Sequence, residues 1–256
     1  MMYLAGAVSL LKLCLWCTGG GLAVTLLNDK DIHRLVKKVG VKMVKRVKKF
    51  DIEYLEHTTV LGLTQHGKTY GLIKTMDTMK GAILFFNTND TPLKGVKSKW
   101  YDAHGGHDLN QIIYALRQGY KINFVPSDDN IKAEKQLKAI TEAVYNEGRG
   151  KLKFRFAIDE VHLFKKEGKT ALIRLASTAL GRGIVCIFIS QRPAMIDNTL
   201  LTQSTKHILF AIGLNDASYL KSNGFPSDEI MQKTGQEKYI FVEFDQKEVK
   251  GPYKII

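Results

Sequence analysis

The sequence has few cysteines and no internal repeat or low-complexity segment. Three cysteines, Cys14, Cys17 and Cys186, are too few to build a disulfide framework in a chain of 256 residues. Cys186 lies in an apolar run, where a buried free thiol is expected. A reducing compartment therefore fits the sequence best. Apolar residues make up an ordinary 45% of the chain, which argues against a disordered or polytopic membrane protein.

Acidic residues are also scarce, and the imbalance is mostly local. The chain has 38 Lys and Arg against 25 Asp and Glu, for a net charge of +13. Residues 30–49 hold nine of these basic residues and a single acid, Asp31. The positive charge is thus concentrated near the N-terminus.

The N-terminal segment is hydrophobic from Tyr3 to Leu27, interrupted by Lys12 and a glycine triplet. About 20 apolar residues suffice to span a bilayer. Lys12 would cost ~2.5–3.5 kcal/mol on insertion scales, which the surrounding apolar residues can offset. We predict a membrane anchor over residues 1–28, with the basic residues after it on the cytoplasmic side. A buried or lipid-contacting hairpin is one alternative. A cleaved signal peptide is another, although its basic n-region is missing.

Residues 29–50 follow as a predicted basic amphipathic helix or linker. Apolar residues recur at helical spacing from Ile32 to Val47, with lysines around them. Three interpretations stay open: a solvated linker helix, a lysine cluster on anionic lipid, and contact with DNA phosphates.

After residue 50, strand-like and helix-like segments alternate, and residues 51–256 are predicted to form one domain. The predicted strands are Thr58–Gly62, Ala82–Asn87, Lys121–Val125, Phe154–Ile158, Ile184–Ser190, His207–Ile212 and Tyr239–Phe244. The predicted helices are Lys68–Met79, Leu109–Gln118, Ile131–Asn146, Lys169–Leu180 and Asp216–Ser222. Most strands are continuously apolar, as in a parallel sheet covered on both faces. The sequence predicts an α/β fold with a mainly parallel central sheet flanked by helices, and a terminal hairpin from Lys238 to Tyr253.

The segment "GLTQHGKT" links the first of these strands to the first helix. It fits the phosphate-binding pattern of glycine, four free positions, glycine, lysine and threonine. Lys68 is predicted to reach the β- and γ-phosphates of ATP, and Thr69 to bind Mg²⁺. The nucleotide-binding residues are then Gly62, Leu63, Thr64, Gln65, His66, Gly67, Lys68, Thr69 and Tyr70. The alternative is a glycine-rich turn with a chance lysine.

Two further strands end in polar residues. "FRFAIDEVHLF" places Asp159 and Glu160 at the carboxyl end of a buried strand, where ligands bind in open α/β sheets. Asp159 suits the Mg²⁺ shell and Glu160 suits polarising a water. The pair could instead be an exposed strand end. "IVCIFISQRP" delivers Gln191 to the same edge, where its amide can bond both the γ-phosphate and the water.

From Thr58 to Phe244 the chain resembles the HerA/FtsK superfamily of P-loop motors. "DEVHLF" and "ISQRPAMID" are similar to the corresponding motifs of FtsK-type translocases, conjugative coupling proteins and genome-packaging ATPases of viruses with an internal membrane. The resemblance implies a RecA-like P-loop (ASCE) core and a homo-oligomeric ring, a hexamer, that uses ATP to move double-stranded DNA. It also implies an arginine finger offered to the neighbouring subunit. Arg182 is our candidate, with Arg174 and Arg192 as rivals.

The expected function is therefore that of an ATPase that translocates double-stranded DNA, as the packaging motor of a virus. The chain holds a motor domain and little else, which fits a machine with separate portal or capsid proteins as partners. Its expected location is a membrane, at the cytoplasmic face of the host cell or at a virion vertex with an internal membrane. A membrane-bound ATPase of conjugative DNA transfer or filamentous-phage assembly is the alternative. A P-loop switch or small-molecule kinase that never touches DNA is more distant, and a kinase's arginine-rich lid is not evident between Asp159 and Gln191.

Two weaker signals remain. Lys94, Lys97 and Lys99 precede Trp100 and Tyr101, a basic and aromatic segment that suits either contact with a DNA backbone or a solvated loop. "HGGHD", residues 104–108, offers two histidines and an aspartate, which are too few ligands to predict a metal site.

Overall fold

The computed structural model describes residues 46–255 except 51, 53–55, 107 and 148–152. The predicted membrane anchor and most of the predicted basic helix lie outside these residues. Within the described part of the chain, no helix combines the length and the apolar character needed to cross a membrane.

The described residues build one ten-stranded sheet. Its strands are β1 (Arg46–Val47), β2 (His57–Leu61), β3 (Ala82–Phe86), β4 (Trp100–His104), β5 (Lys121–Val125), β6 (Phe154–Ile158), β7 (Ile184–Ser190), β8 (Ser204–Leu209), β9 (Ile240–Phe244) and β10 (Val249–Lys254). Every neighbouring pair is parallel except the two pairs that β9 makes with β8 and β10. The predicted α/β class, mainly parallel sheet and terminal hairpin are confirmed.

The strand order is β1-β10-β9-β8-β2-β7-β6-β3-β5-β4. Strand β2 therefore lies between β8 and β7, and β7 separates it from β6. Because β2, β3, β6 and β7 run in the same direction, their carboxyl ends meet at one edge of the sheet. The segments that follow these four strands carry the residues predicted to bind and hydrolyse nucleotide.

Seven helices of the described chain cover the sheet unequally. They are α1 (Lys68–Thr78), α2 (Leu109–Arg117), α3 (Asn130–Glu147), α4 (Lys166–Thr178), α5 (Asn198–Thr202), α6 (Leu214–Ser222) and α7 (Ser227–Thr234). Helices α2 to α7 contribute to one hydrophobic core, and α1 contributes to a second. The second core is completed by Phe50 and Ile52 and by partly buried residues of the 93–100 segment. Each of the four central strands β2, β3, β6 and β7 is fully buried, as expected for a sheet covered on both faces.

The last residues of the segment predicted as a basic helix or linker, 29–50, do not form a helix. Arg46 and Val47 form strand β1, which pairs in parallel with Tyr253 and Lys254 of β10. Phe50 is 4% exposed, and its ring lies edge-on to those of Phe210 and Phe241 at 5.0–5.9 Å between centroids. The compact unit that contains the described residues therefore starts before the predicted boundary at residue 51.

Strand β4 was not predicted, because the sequence 100–104 lacks a continuous apolar run. Ala103 is its one fully buried side chain, as suits a strand at the edge of the sheet. The segment considered for DNA contact thus ends in a strand that begins at Trp100 and includes Tyr101. Strand β8 begins at Ser204, three residues before the predicted start. The expected state of Cys186, a buried free thiol, is confirmed.

Candidate functional site

The loop between β2 and α1 has the backbone of an anion-binding turn. Gly62 and Gly67 have φ angles of 139° and 98°, and Gln65 has a φ angle of 60°. A Cβ atom at Gly62 would lie 2.7 Å from Cβ of Phe210, so a side chain cannot be accommodated there. These left-handed residues curl the chain back over the first turn of α1.

The N-terminus of α1 is open to an anion. Gly67 is the N-cap residue, no side chain caps the first turn, and that turn contains no acid. The first N–H groups of a helix lack partners within it and carry partial positive charge. An anion such as a phosphate group would satisfy them.

Lys68 lies across this loop with its side chain buried. Its Nζ donates a hydrogen bond to the carbonyl oxygen of Leu63 at 2.8 Å. Burial lowers the pKa of Lys68, and the nearby charges of Glu160 and Asp159 oppose that shift. The ammonium is therefore held close to both the loop and the acid pair.

Thr69 and Asp159 bring two oxygen atoms together at the predicted magnesium site. The Thr69 hydroxyl donates to Oδ2 of Asp159 at 3.4 Å. Asp159 is fully buried, and desolvation followed by the charge of Glu160 raises its pKa to about 7. A carboxylate in so dry a position is stable when a cation neutralises it. Hydroxyl and carboxylate oxygens are also the ligands that Mg²⁺ prefers, so these residues fit that ion.

Glu160 is the centre of a hydrogen-bond chain that starts at the phosphate loop. The Thr64 hydroxyl donates to Oε1 of Gln191, and the Gln191 amide donates to Oε1 of Glu160. The amide of Asn89 donates to the same Glu160 oxygen at 3.2 Å. The loop and the ends of β3, β6 and β7 are thus connected through this one carboxylate.

The other carboxylate oxygen of Glu160 is buried without a hydrogen-bond partner among the described residues. Nδ1 of His162 lies 3.2 Å from this Oε2 atom, and it is also 3.1 Å from the hydroxyl of Ser190. Burial lowers the pKa of His162, while the charge of Glu160 opposes that shift. A buried oxygen acceptor without a partner requires an explanation, and a water molecule or substrate group would supply one.

The backbone of Glu160 is strained. Its φ and ψ angles of 50° and 46° are left-handed, which costs roughly 1–3 kcal/mol for a residue other than glycine. The conformation directs the chain away from β6 immediately after Asp159. Strain of this kind clusters at functional sites, which agrees with the position of Glu160 at the centre of the hydrogen-bond chain.

Two residues of this cluster, Asn89 and His162, were not predicted from the sequence. Asn89 also contacts Asp159, at 3.5 Å from Oδ2, and its neighbour Thr88 donates to the carbonyl oxygen of Asp159 at 2.7 Å. The signal for Asn89 was available, because it follows β3 at the same edge of the sheet. His162 stands in the quoted motif "DEVHLF" but was given no role there.

The remaining predicted nucleotide contacts lie around the loop. Leu63 donates its N–H to the carbonyl oxygen of Ala211. Nδ1 of His66 donates to the carbonyl oxygen of Thr64 at 2.8 Å, so this imidazole supports the loop. Tyr70 projects from the first turn of α1 with 44% of its surface exposed.

The three arginines considered for the trans finger lie in different places. Arg182 precedes β7 and therefore lies at the opposite end of that strand from Gln191. Its guanidinium lies 3.7 Å from the ring centroid of Tyr145 and donates to the carbonyl oxygen of Tyr145 at 2.9 Å. Arg174 contacts the same ring at 4.1 Å, whereas Arg192 is exposed directly after Gln191. The choice of Arg182 stays a prediction.

No further metal site is evident in the described residues. They contain no group of three or more His, Cys, Asp or Glu side chains that could hold a metal ion. His107 of the "HGGHD" segment lies outside the described residues.

Comparison with solved structures identifies the fold. The genome packaging NTPase B204 from Sulfolobus turreted icosahedral virus 2, in complex with AMPPCP, matches with a TM-score of 0.60 and 16% identity, over 80% of this chain and 100% of that one. Its complex with ATP-gammaS gives 0.58 and 18% over the same shares. B204, the DNA-packaging ATPase from Sulfolobus Turreted Icosahedral Virus, gives 0.55 and 16%, over 78% and 98%.

This chain shares the fold of a viral genome-packaging NTPase. The predicted RecA-like P-loop fold is thereby confirmed, and the resemblance to genome-packaging ATPases stated from the motifs agrees with it at the level of the fold. No family model matches the sequence, and the search of curated proteins gave no match. The likeness therefore rests on the arrangement of the chain in space and on a few short motifs.

Proposed function

We propose that this chain is the subunit of a ring-forming ATPase that moves double-stranded DNA, and that its role is genome packaging. One observation carries the proposal. Lys68, Thr69, Asp159, Glu160 and Gln191 meet at one sheet edge in a chain with the fold of B204, a genome packaging NTPase. B204 was crystallised with ATP analogues, which supports ATP as the nucleotide here.

The loop residues bind the triphosphate. The free N–H groups at the start of α1 contact phosphate oxygens, and Lys68 exchanges its bond to Leu63 for oxygens of the β- and γ-phosphates. Thr69 and Asp159 would hold Mg²⁺, which would neutralise charge on the phosphates. The γ-phosphate then faces Glu160 and Gln191, because Gln191 accepts a hydrogen bond from Thr64 of the loop and donates one to Glu160.

Glu160 acts as the base. Its Oε2 atom is buried, accepts no hydrogen bond from the described residues and lies 3.2 Å from Nδ1 of His162. This oxygen accepts a proton from the attacking water. The new bond forms between the water oxygen and the γ-phosphorus, the bond to the β-phosphate oxygen breaks, and ADP leaves. Gln191 bonds both Thr64 of the loop and Glu160, so loss of the γ-phosphate changes the contacts available to it. Gln191 thereby couples the state of the nucleotide to β7 and the segment after it.

A neighbouring subunit of the oligomeric ring supplies a further positive charge to the nucleotide. An arginine finger offered by a neighbouring subunit raises turnover by 10³–10⁵ in P-loop enzymes. We assign this role to Arg182, which lies at the far end of β7 from its own Gln191 and so suits action in another subunit. An isolated subunit should then be nearly inactive.

The first test is the rate of ATP hydrolysis by the full chain, with and without double-stranded DNA, across protein concentration. We expect the rate to rise with both. The DNA effect should weaken strongly with salt, because the expected contacts are to phosphate. A rate that responds to neither DNA nor concentration would rule out the motor and leave a P-loop enzyme or switch.

Two variants test the site itself. Glu160→Gln should abolish hydrolysis and retain ATP binding, whereas Lys68→Ala should lose both. Glu142→Gln, an exposed glutamate on α3, is the matched control and should behave as wild type. Normal hydrolysis by Glu160→Gln would show that the assignment of the base is wrong.

We also propose that residues 1–28 hold the motor at a lipid surface beside portal or capsid proteins. The hydrophobic sequence followed by basic residues supports this. Fractionation tests it. The protein should be recovered in purified virions, whereas residence in the host membrane alone would favour the DNA-transfer or phage-assembly alternative.

A further inference from the structure

Two exposed aromatic rings lie beside the phosphate loop. Tyr70 and Tyr239 are 44% and 43% exposed. Their ring centroids are 6.1 Å apart, and the ring planes meet at 73°. The two rings therefore form an open corner.

The position of Tyr239 is fixed by the loop. Its N–H donates to the carbonyl oxygen of His66 at 3.0 Å, and its carbonyl oxygen accepts from Ile255 at 3.0 Å. The ring lies so close to Gly67 that a Cβ atom there would be 2.6 Å from Cδ1 of the tyrosine. Its φ angle of 63° is left-handed, which is unfavourable for a bulky residue. A large side chain is thus retained at a strained position in contact with the loop.

The direction of the bound phosphates places the nucleoside at this corner. Backbone groups of the loop hold the α- and β-phosphates, while the lysine reaches the β- and γ-phosphates. Glu160 and Gln191 mark the γ end, because Glu160 is the proposed base and the Gln191 amide bonds its carboxylate. The chain of phosphates therefore leaves the loop over the first turn of α1, which is the turn that carries Tyr70 and contacts Tyr239.

We propose that the exposed face of Tyr239 is the platform on which the purine base of the nucleotide stacks, with Tyr70 as the perpendicular wall. This inference rests on the proposed function, since it assumes that the loop binds a nucleoside triphosphate. We choose Tyr239 rather than Tyr70 as the platform because one face of the Tyr70 ring is already covered. Nζ of Lys74 lies over that ring, 5.6 Å from its centroid.

The corner recognises the face of a base. Stacking on an aromatic ring is tolerant of the base because every base has a π-face. We therefore expect ATP and GTP to bind with affinities that differ by no more than a few-fold, and both to bind more tightly than the phosphate chain alone.

The test compares two ligands, ATP and inorganic tripolyphosphate, by titration calorimetry on the full chain. Tyr239→Ala should weaken ATP binding roughly 5- to 150-fold and leave tripolyphosphate binding unchanged. Tyr239→Phe should retain the wild-type affinity for ATP. Tyr114→Ala removes a 63% exposed tyrosine from α2 and is the matched control.

Each other result overturns the inference. Unchanged ATP affinity in Tyr239→Ala would place the base elsewhere. Equal weakening of ATP and tripolyphosphate would show that the ring supports only the loop. If the wild-type chain binds neither ligand, the proposed function fails and this inference fails with it, whereas tripolyphosphate binding by the wild type leaves the loop assignment standing.

Discussion

Two buried histidines should make the fold sensitive to mild acid. His207 lies in β8 between the rings of Phe225 and Phe244, with centroids at 4.6 and 5.9 Å. Its Nδ1 lies 2.7 Å from the hydroxyl of Thr59. Burial lowers the pKa of His207 from 6.5 to about 3, and burial lowers that of His57 to about 4.

The direction of the pH effect on stability follows from proton binding. Between these lowered values and 6.5 the unfolded chain binds a proton at each histidine and the folded chain does not, so the free energy of unfolding falls as the pH falls. Each histidine should contribute a loss of about 2 kcal/mol between pH 7 and pH 5, at 1.36 kcal/mol per pH unit. Asp159 has the opposite effect, because its raised pKa makes the folded chain bind a proton that the unfolded chain does not. It offsets the loss expected from about one histidine. The wild-type loss should therefore be smaller than the sum for both histidines.

Replacement of His207 isolates its contribution. In His207→Leu the loss between pH 7 and pH 5 should be about 2 kcal/mol smaller than in wild type, or about 4–8 °C in Tm for a domain of this size. Urea unfolding at the two pH values measures it. His104→Leu, which removes an exposed imidazole, should keep the wild-type dependence. An equal loss in wild type and His207→Leu would refute the neutral, buried state of this imidazole.

Three further results are expected. Phe50→Ala should lower the free energy of unfolding by about 3–5 kcal/mol, measured by urea unfolding, and a small loss would mean that the second core does not need this ring. Gly71→Ala, which on helix propensity would gain about 1 kcal/mol, should instead destabilise, because the new Cβ atom would lie 2.5 Å from Cζ of Phe50; a rise in Tm would contradict this contact. Lys68→Ala and Arg182→Ala should each be inactive alone, but mixed one to one they should regain on the order of a quarter of the wild-type rate, because one interface in four pairs an intact lysine with an intact arginine. Normal activity of Arg182→Ala would show that Arg182 is not the arginine finger and would favour Arg174 or Arg192.

The edge of the sheet that carries the candidate site could be predicted from the sequence because the relevant signals are local. The glycine pattern of residues 62–69 and the acids at the end of β6 each lie within a few residues, directly after an apolar run. Parallel strands bring such ends together, so Gln191 could be placed with them. The central strands were predicted closely for the same reason, since each is a continuous apolar run.

The missed features depend on contacts between distant parts of the chain. Strand β1 has two residues and is defined by its pairing with β10, more than 200 residues later. Tyr239 reaches the loop because β9, which is antiparallel to β8, begins at the edge of the sheet where the loop lies. Nothing in its local sequence marks it as a neighbour of His66. Helical periodicity predicted a helix to Phe50, but burial of that ring beneath α1 prevailed over the local pattern.

The pairing of β1 with β10 has a mechanical consequence. Any pull on the segment before Arg46 enters the sheet along β1 and loads its bonds to β10 in shear, over a pairing of two residues and the bond from Lys48 to Lys254. Ile255 directly follows β10, and its N–H donates to the carbonyl oxygen of Tyr239 beside the phosphate loop. Tension on this segment would therefore be transmitted to the phosphate loop through a path of main-chain hydrogen bonds. The buried ring of Phe50, packed against α1, would resist withdrawal of the segment. If the chain is the motor that we propose, a tether at this position would let mechanical load alter how tightly the phosphate loop binds nucleotide.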